Sequence, residues 1–344
     1  MRTSLPLSLL CFVALTAVVP AVPSAAAEPA RPAGPLAHTY SIVARHPETG
    51  ELGVAVQSHW FQVGTVVAWA EAGVGAVATQ SFVEVSYGPQ GLALLRGGWS
   101  PEAALAHLTA ADEQRAVRQV AMVDAEGRVA AWTGERCITA AGHQTGDGYS
   151  VQANLMENPT VWPAMAAAYE AALADPGRDF AAALLAALEA AEAEGGDIRG
   201  RQSAAMVIVR ATTTGTPWRD RLLDLRVDDH ADPLGELARL LVRHRAYEAM
   251  NAGDEAVAKG DFAAALDLYS RAAEMAPDVV ELPFWQAVTL FVEGREEEAL
   301  PIFARVFAAE ERWRELVPRL PRSGLLPDDP EKIERILAAG RDID

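Results

Sequence analysis

Cysteine is scarce in this chain, and its scarcity excludes two kinds of architecture. The 344 residues include two cysteines, Cys11 and Cys137, and Cys11 lies in an apolar N-terminal run that we expect to be removed. Cys137 is then left alone, so an internal disulfide is excluded and stability must come from a packed core. One thiol and seven scattered histidines, without a His-Glu-x-x-His motif, also predict that there is no metal site.

Positive charge is low as well. Lys and Arg number 29 against 47 Asp and Glu, which gives a net charge of −18. This balance argues against a nucleic-acid partner, because phosphate binding needs a basic surface. The chain also lacks a Gly-x-Gly-x-x-Gly motif that opens a helix after the first strand, and it has no Gly-x-Ser-x-Gly. These absences argue against a dinucleotide-binding fold and an α/β-hydrolase, and we expect no cofactor.

Long hydrophobic runs are confined to the N-terminus. Arg2 precedes an apolar stretch from Leu5 to about Val22, which is interrupted by proline and followed by small residues ending in Ala25-Ala26-Ala27. This pattern is typical of a secretory signal peptide over residues 1–27, and not of a membrane anchor. We therefore expect a secreted or periplasmic chain without a membrane span, which begins with a Pro/Ala linker over 28–37.

Residues 38–228 have the pattern of a mixed domain. Strands, two Ala-rich helices and then strands again favour antiparallel sheets covered by helices, so the predicted fold class is α+β. The predicted strands lie near 39–45, 52–58, 64–70, 74–80, 117–123, 128–133, 148–153, 204–210 and 221–226. The predicted helices follow Tyr87-Gly88-Pro89 and Ser100, and cover about 160–174 and 179–194.

The remainder, 229–344, is predicted to be all α-helical and contains a 34-residue repeat. The repeated positions are Gly260 and Gly294, Ala265-Leu266 and Ala299-Leu300, and Tyr269 and Phe303. This is the tetratricopeptide period, so we predict two repeats over about 246–279 and 280–313, supported by a helix over 233–250. An ordinary helical hairpin bundle is the alternative. Such repeats usually bind a protein or peptide.

Polar side chains stand at the ends of several otherwise apolar strands of the first domain. Clustered at strand ends, they are expected to converge on one site, although each could instead bond to the backbone of a turn. The residues are Ser58, His59, Thr79, Gln80, Asn154, Asp197, Arg199, Gln202 and Ser203.

Five separated segments between His38 and Arg226 resemble the domain-of-unknown-function 1028 family. They read HTYSIVARHPETGELGVAVQSHWFQVG, WAEAGVGAVATQ, YGPQGLALLRGG, GDGYSVQANLM and GGDIRGRQSAA. The resemblance implies an N-terminal-nucleophile (Ntn) hydrolase-like fold, a four-layer αββα sandwich. Some members carry a C-terminal segment described as peptidoglycan-binding, and LLDLRVDDHADPLGELARLL resembles its start, which would imply association with the cell wall.

An Ntn hydrolase uses its first residue as nucleophile and the free α-amine of that residue as base. The resemblance therefore implies that Thr39 attacks a small amide or peptide. Asn154 would supply the oxyanion hole, Asp197 would hold the amine and Arg199 would bind a substrate carboxylate. Substrate contacts are assigned to Ser58, His59, Thr79, Gln80, Gln202 and Ser203.

One condition is attached to this mechanism. Eleven residues, Glu28 to His38, would remain ahead of Thr39 after signal cleavage, and an acylated amine cannot act as a base. Activity requires a second cut between His38 and Thr39. Without it the domain would be an inert scaffold beside the helical repeats, because neighbouring Ser58 and His59 face opposite sides of a strand and make a poor catalytic pair. The sequence leaves a homo-oligomer open.

Overall fold

The computed structural model describes Met1 and residues 36–341. The predicted signal peptide beyond Met1, the predicted linker up to residue 35 and residues 342–344 therefore lie outside the described residues. Within the described part of the chain, none of the helices combines the length and the apolar character that a membrane crossing requires.

The described residues form strands and helices in two successive regions. The strands are β1 (Leu36–Ala37), β2 (Thr39–Arg45), β3 (Leu52–Ser58), β4 (Ala68–Glu71), β5 (Gly75–Phe82), β6 (Arg118–Asp124), β7 (Val129–Thr133), β8 (Gly142–Gly146), β9 (Tyr149–Ala153), β10 (Ser203–Val209) and β11 (Arg221–Val227). The helices are α1 (Tyr87–Arg96), α2 (Pro101–Ala111), α3 (Val161–Leu173), α4 (Phe180–Ala193), α5 (Pro217–Asp220), α6 (Pro233–Ala258), α7 (Phe262–Met275), α8 (Glu281–Val292), α9 (Glu296–Ala309), α10 (Arg312–Leu316) and α11 (Pro330–Leu337).

The strands of the described region are arranged in two antiparallel sheets, which confirms the mixed α+β class. The first sheet has the order β1-β5-β6-β7, and β4 also pairs with β5. The second sheet has the order β11-β10-β3-β2-β9-β8. β1 belongs to the first sheet and β2 to the second, and a single residue, His38, separates them.

Both faces of the central strands are buried, which explains why these strands are apolar almost throughout. Val43 of β2 and Ala78 of β5 belong to one apolar cluster that is shared by the two sheets. Ile42, the next residue toward the start of β2, belongs instead to a cluster with Leu184 of α4 and with residues of α3. Met122 of β6 lies in a third cluster with residues of α1 and α2. Neighbouring residues of one strand thus contact either the other sheet or a pair of helices.

Most of the predicted elements are present within a residue or two. β2 and β3 cover 39–45 and 52–58, as predicted. Helix α2 begins as predicted after Ser100, whose side chain accepts a hydrogen bond from the main-chain N–H of Ala103 at 3.3 Å.

Three strand predictions need correction. Leu36–Ala37, predicted as the end of the linker, form β1 because they pair with the edge of β5. The strand predicted over 64–70 begins only at Ala68, because Val63–Thr65 form a 3-10 turn. Gly64 lies so close to β10 that a Cβ at this position would come within 2.5 Å of the Cβ of Ala205. The sequence also gave no sign of β8, whose residues Gly142–Gly146 are glycine and polar side chains with low strand propensity. β8 is the exposed edge of the second sheet, where such residues are tolerated.

The C-terminal region is helical, as predicted, and contains two helical hairpins at the 34-residue spacing. The second half of α6 pairs with α7, and α8 pairs with α9. Gly260 and Gly294 end the first helix of each hairpin with a φ of +77° at both positions, a conformation that favours glycine. The helix predicted over 233–250 is longer than expected. It continues without a break to Ala258, so one helix joins the first domain to the first hairpin.

Candidate functional site

Thr39 is the first residue of β2 and is completely buried. It pairs in register with Ser58, the last residue of β3, so both side chains lie on the face that meets the first sheet. The Thr39 hydroxyl donates a hydrogen bond to the carbonyl oxygen of Ala37 at 2.7 Å. Its own carbonyl accepts from Gln80 Nε2 at 3.1 Å and from the main-chain N–H of Asn154 at 3.1 Å. Thr39 is therefore fixed by contacts from both sheets.

The carbonyl group immediately ahead of Thr39 has two strong donors. The oxygen of His38 accepts a hydrogen bond from Ser58 Oγ at 2.6 Å and another from an Arg199 terminal nitrogen at 2.9 Å. A hydroxyl and a guanidinium on one oxygen withdraw electron density from the carbonyl carbon and stabilise negative charge on the oxygen. The peptide bond between His38 and Thr39 is thus polarised.

Asp197 holds Arg199 in this position. Its carboxylate accepts from Arg199 Nε at 3.0 Å and from a terminal nitrogen at 2.7 Å, and also from the main-chain N–H groups of Arg199 at 2.9 Å and His59 at 3.3 Å. The Asp197 side chain is fully buried, whereas that of Arg199 is 28% exposed. Such partners offset the cost of removing a carboxylate from water. The Asp197 carboxylate therefore positions Arg199.

The His38 side chain is buried next to the same bond. The residue is 3% exposed, and its Nδ1 lies 2.8 Å from Asn154 Oδ1. Its ring meets the Phe82 ring edge-on, with centroids 5.5 Å apart. Burial lowers the pKa of His38, and the positive charge of Arg199 lowers it further against the opposing effect of the Asn154 hydrogen bond. His38 is therefore neutral near pH 7.

Beneath Thr39 lies a buried network of amide side chains that joins the two sheets. Gln119 Oε1 accepts from Gln80 Nε2 and from Asn154 Nδ2, each at 2.8 Å. Ser41 Oγ donates to Gln80 Oε1 at 2.5 Å and accepts from Gln152 Nε2 at 2.6 Å. Because each of these groups has a partner, the network restrains the positions of the strands around Thr39.

The structure brings together the four predicted catalytic residues and two of the predicted substrate contacts. Thr39, Asn154 and Arg199 surround the His38–Thr39 bond, and Asp197 supports Arg199. Ser58 reaches the carbonyl directly, and Gln80 lies in the network below. His59 is exposed at the rim and takes part through its main-chain N–H.

The remaining three predicted substrate contacts serve the backbone or loops elsewhere. Thr79 faces the opposite side of β5 and donates to a main-chain carbonyl in the following turn at 3.1 Å. Gln202 donates to Asp229 at 3.1 Å, and Ser203 Oγ accepts from the main-chain N–H of Val63 at 3.1 Å. Thr79 and Ser203 thus bond to the backbone near turns, which was the alternative to a role in the site.

Sequence reasoning missed Ser41 and Gln152 of the polar network, and also Gln119 and His38. Gln119 interrupts the apolar strand β6, and a polar residue at a buried strand position was the signal that could have identified it. His38 gave no comparable signal, because a single histidine ahead of a strand is common. As for metals, no three His, Cys, Asp or Glu side chains between residues 36 and 341 lie close enough together to hold an ion.

Comparisons with known proteins show to which family the chain belongs. Residues 39–237 match the family model described as "Family of unknown function (DUF1028)". The crystal structure of protein SPO2555 from Silicibacter pomeroyi, assigned to the same family model, is 34% identical in sequence with a TM-score of 0.52, and the match covers 59% of this chain and 88% of that one. No curated protein matches the chain. The chain therefore belongs to DUF1028, a family of unknown function.

Proposed function

We propose that this chain is an exported amidohydrolase of the Ntn type, which uses Thr39 as its nucleophile after the His38–Thr39 bond is cut. The order of packed elements supports a four-layer αββα sandwich, because each of the two stacked sheets carries a pair of helices on its outer face. Thr39 opens a strand and faces the space between the sheets. The family match also begins at Thr39.

One observation carries this proposal, the pair of donors on the His38 carbonyl. In the first step, Thr39 Oγ attacks the carbonyl carbon of His38, and negative charge develops on the oxygen that Ser58 and Arg199 already contact. The bond from this carbon to the Thr39 nitrogen breaks, and the hydroxyl proton passes to that nitrogen. Water then hydrolyses the resulting ester, which leaves a His38 carboxylate and a Thr39 with a free amine and a free hydroxyl.

The cut chain has the groups that amide hydrolysis needs. An unperturbed α-amine has a pKa of about 8 and can take the hydroxyl proton near neutral pH. Thr39 Oγ then attacks an amide carbonyl, the amine of the substrate leaves with a proton, and water releases the acid from the ester. Ser58 and Arg199 stabilise the oxyanion as they do for His38.

The first test is the mass of the full chain secreted by its own host. We expect a chain that begins at Thr39, and a Thr39→Ala variant that retains His38. Thr79→Ala is the matched control, because Thr79 is equally buried but faces away from the site, and this variant should be cut like the wild type. A wild-type chain that keeps His38, or a Thr39→Ala chain that loses it, would contradict the proposal.

A second candidate function belongs to the helical region, as a tetratricopeptide-like module that binds a protein or peptide. A cleft of about 570 Å³ lies between the first hairpin and α8, and the side chains that line it include Val257, Phe262, Trp285, Val292 and Leu325. In this alternative the first domain is an inert scaffold, and the segment after Arg226 serves attachment to the cell wall.

This alternative is tested with the full chain on a peptide array. Val292 and Val242 are both 42% exposed, but only Val292 lines the cleft. Val292→Glu should reduce peptide binding at least about tenfold, since it replaces an apolar side chain of the cleft with a charged one, whereas Val242→Glu should not. Equal binding by both variants would count against the cleft.

A further inference from the structure

Leu36, Ala37 and His38, here called the leader, bind the first sheet as a short strand. Leu36 pairs with Phe82 and Ala37 with Ser81 in antiparallel register along β5. The strand β4 covers the same edge of β5 from Gly75 to Ala78. The leader thus covers the stretch of this edge that is nearest to Thr39.

The three residues of the leader are buried to different depths. His38 is 3% exposed, Ala37 is 0% exposed and Leu36 is 42% exposed. The site around the His38 side chain, here called its seat, contains an apolar ring and a hydrogen-bond acceptor. The ring is that of Phe82, which is perpendicular to the imidazole, and the acceptor is Asn154 Oδ1. The seat of Ala37 belongs to the apolar cluster between the sheets and has room for a small side chain.

The leader also presents its last carbonyl as a substrate would. The His38 oxygen lies on the two donors, Ser58 and Arg199, and the Thr39 hydroxyl is hydrogen-bonded within the leader. The β5 residue opposite Ala37 is Ser81, which has a φ of +74° although it is not glycine. Such a conformation is rare and tends to occur where a functional surface imposes it.

We propose that the leader is a built-in copy of the acyl half of the substrate. On this reading, which rests on the proposed function, the cut enzyme takes peptides whose acyl half adds a short strand to the end of β5. The residue ahead of the cleaved bond carries an imidazole, or a ring of similar shape with a hydrogen-bond donor, and a small residue precedes it. The residue before that is unrestricted.

This substrate class follows from the chemistry of the seats. Main-chain pairing with a sheet edge supplies affinity for any peptide in an extended conformation. Selectivity comes from Asn154 Oδ1, because a ring without a donor would leave this buried acceptor unpaired. A large side chain in the Ala37 seat would have to displace well-packed core residues.

The test uses the full chain after cleavage and three acetylated tripeptide p-nitroanilides, Leu-Ala-His, Leu-Ala-Phe and Leu-Phe-His. We expect kcat/KM for Leu-Ala-His to exceed that of Leu-Ala-Phe at least about tenfold, because phenylalanine keeps the ring but lacks the donor. The excess over Leu-Phe-His should be of similar size. Phe82→Leu should lower kcat/KM for Leu-Ala-His by about threefold to tenfold. Phe61→Leu, a change at an exposed phenylalanine, should leave it unchanged.

The outcomes separate the two proposals. Equal hydrolysis of the three anilides would overturn the leader as a substrate copy and leave Thr39-dependent hydrolysis standing. No hydrolysis of any anilide by a chain that begins at Thr39 would contradict both. An unchanged kcat/KM for Leu-Ala-His in Phe82→Leu would contradict the leader as a substrate copy, because Phe82 contacts the ring of the leader histidine.

Discussion

The sharpest prediction concerns Ser58→Ala, which removes one of the two donors on the His38 carbonyl. Ser58 is completely buried, and its hydroxyl lies 2.6 Å from that oxygen. The substitution removes only an oxygen atom. Because Arg199 still donates to the same carbonyl, the uncut chain should lose about 1 kcal/mol of its free energy of unfolding and should fold normally.

The effect on self-cleavage should be much larger than the effect on stability. The donor is already in place before the oxyanion forms, so its hydrogen bond strengthens as charge develops on the oxygen. Loss of one oxyanion donor in other enzymes slows the reaction by about 10²–10³-fold, or about 2.7–4 kcal/mol. We expect the cut between His38 and Thr39 to slow by a factor in this range.

The rate can be followed by cell-free synthesis of the full chain and intact-mass measurement over time. Ser203→Ala is the matched control. Ser203 pairs with Ser58 from the neighbouring strand β10 and is just as buried, but its hydroxyl bonds to the backbone of the 3-10 turn region and not to His38. The Ser203→Ala chain should be cut between His38 and Thr39 at the wild-type rate.

Two results would refute the reasoning. If Ser58→Ala is cut as fast as the wild type while Thr39→Ala remains intact, then the Ser58 hydroxyl does not stabilise the oxyanion. If Ser203→Ala slows the cut as much as Ser58→Ala, the effect is one of folding around the site and not of charge stabilisation.

Three further predictions concern pH and stability. Burial lowers the pKa of His38 from its ordinary value of 6.5, so stability that is present above pH 6.5 is lost as the pH falls, by at most about 1.4 kcal/mol per pH unit. In urea unfolding of a chain with an inactivated nucleophile, His38→Gln should lose less stability between pH 7 and 5 than the same chain with His38. Equal losses in the two chains would contradict the lowered pKa of His38. Gln119→Leu leaves buried amides without partners and should cost about 2–4 kcal/mol in the same assay, whereas Gln90→Leu on the surface should change little. Leu237→Ala, at a fully buried position of α6, should lower the free energy of unfolding by about 2–5 kcal/mol. Val242→Ala, on the exposed side of α6, should change it by no more than about 0.5 kcal/mol. Similar losses in the two variants would mean that α6 is not anchored through Leu237.

Much of the fold could be predicted because local signals were strong. The hairpin of β2 and β3 has two apolar runs around a Pro-Glu-Thr-Gly turn, and α2 has a capping serine followed by proline. β8 could not be predicted, because pairing with β9, and not the propensity of Gly142–Gly146, makes it a strand. Likewise, the sequence did not indicate that α6 would run through the predicted boundary at 250.

The sequence predicted several residues of the site but not the contacts that they make. Thr39, Asn154 and Arg199 do meet around one peptide bond, but which face a strand residue takes depends on tertiary packing. Gln80 therefore joins the polar network between the sheets, while its neighbour Thr79 faces away. The contact of Ser58 with the His38 carbonyl follows from the register of the β2–β3 hairpin, which its turn sets. The approach of Arg199 and Asn154 to the same bond comes instead from segments that are distant in sequence.

The continuous helix α6 fixes the geometry between the two regions. It spans 26 residues, about 39 Å at 1.5 Å per residue. Its first turns are anchored by Leu234, Leu237 and Leu241 to the cluster beneath the second sheet, and its last turns form half of the first hairpin. Because this helix is packed at both ends, it holds the hairpins at a fixed distance and orientation from the domain that contains Thr39. A molecule bound by the hairpins would therefore lie at a fixed distance and orientation from that domain.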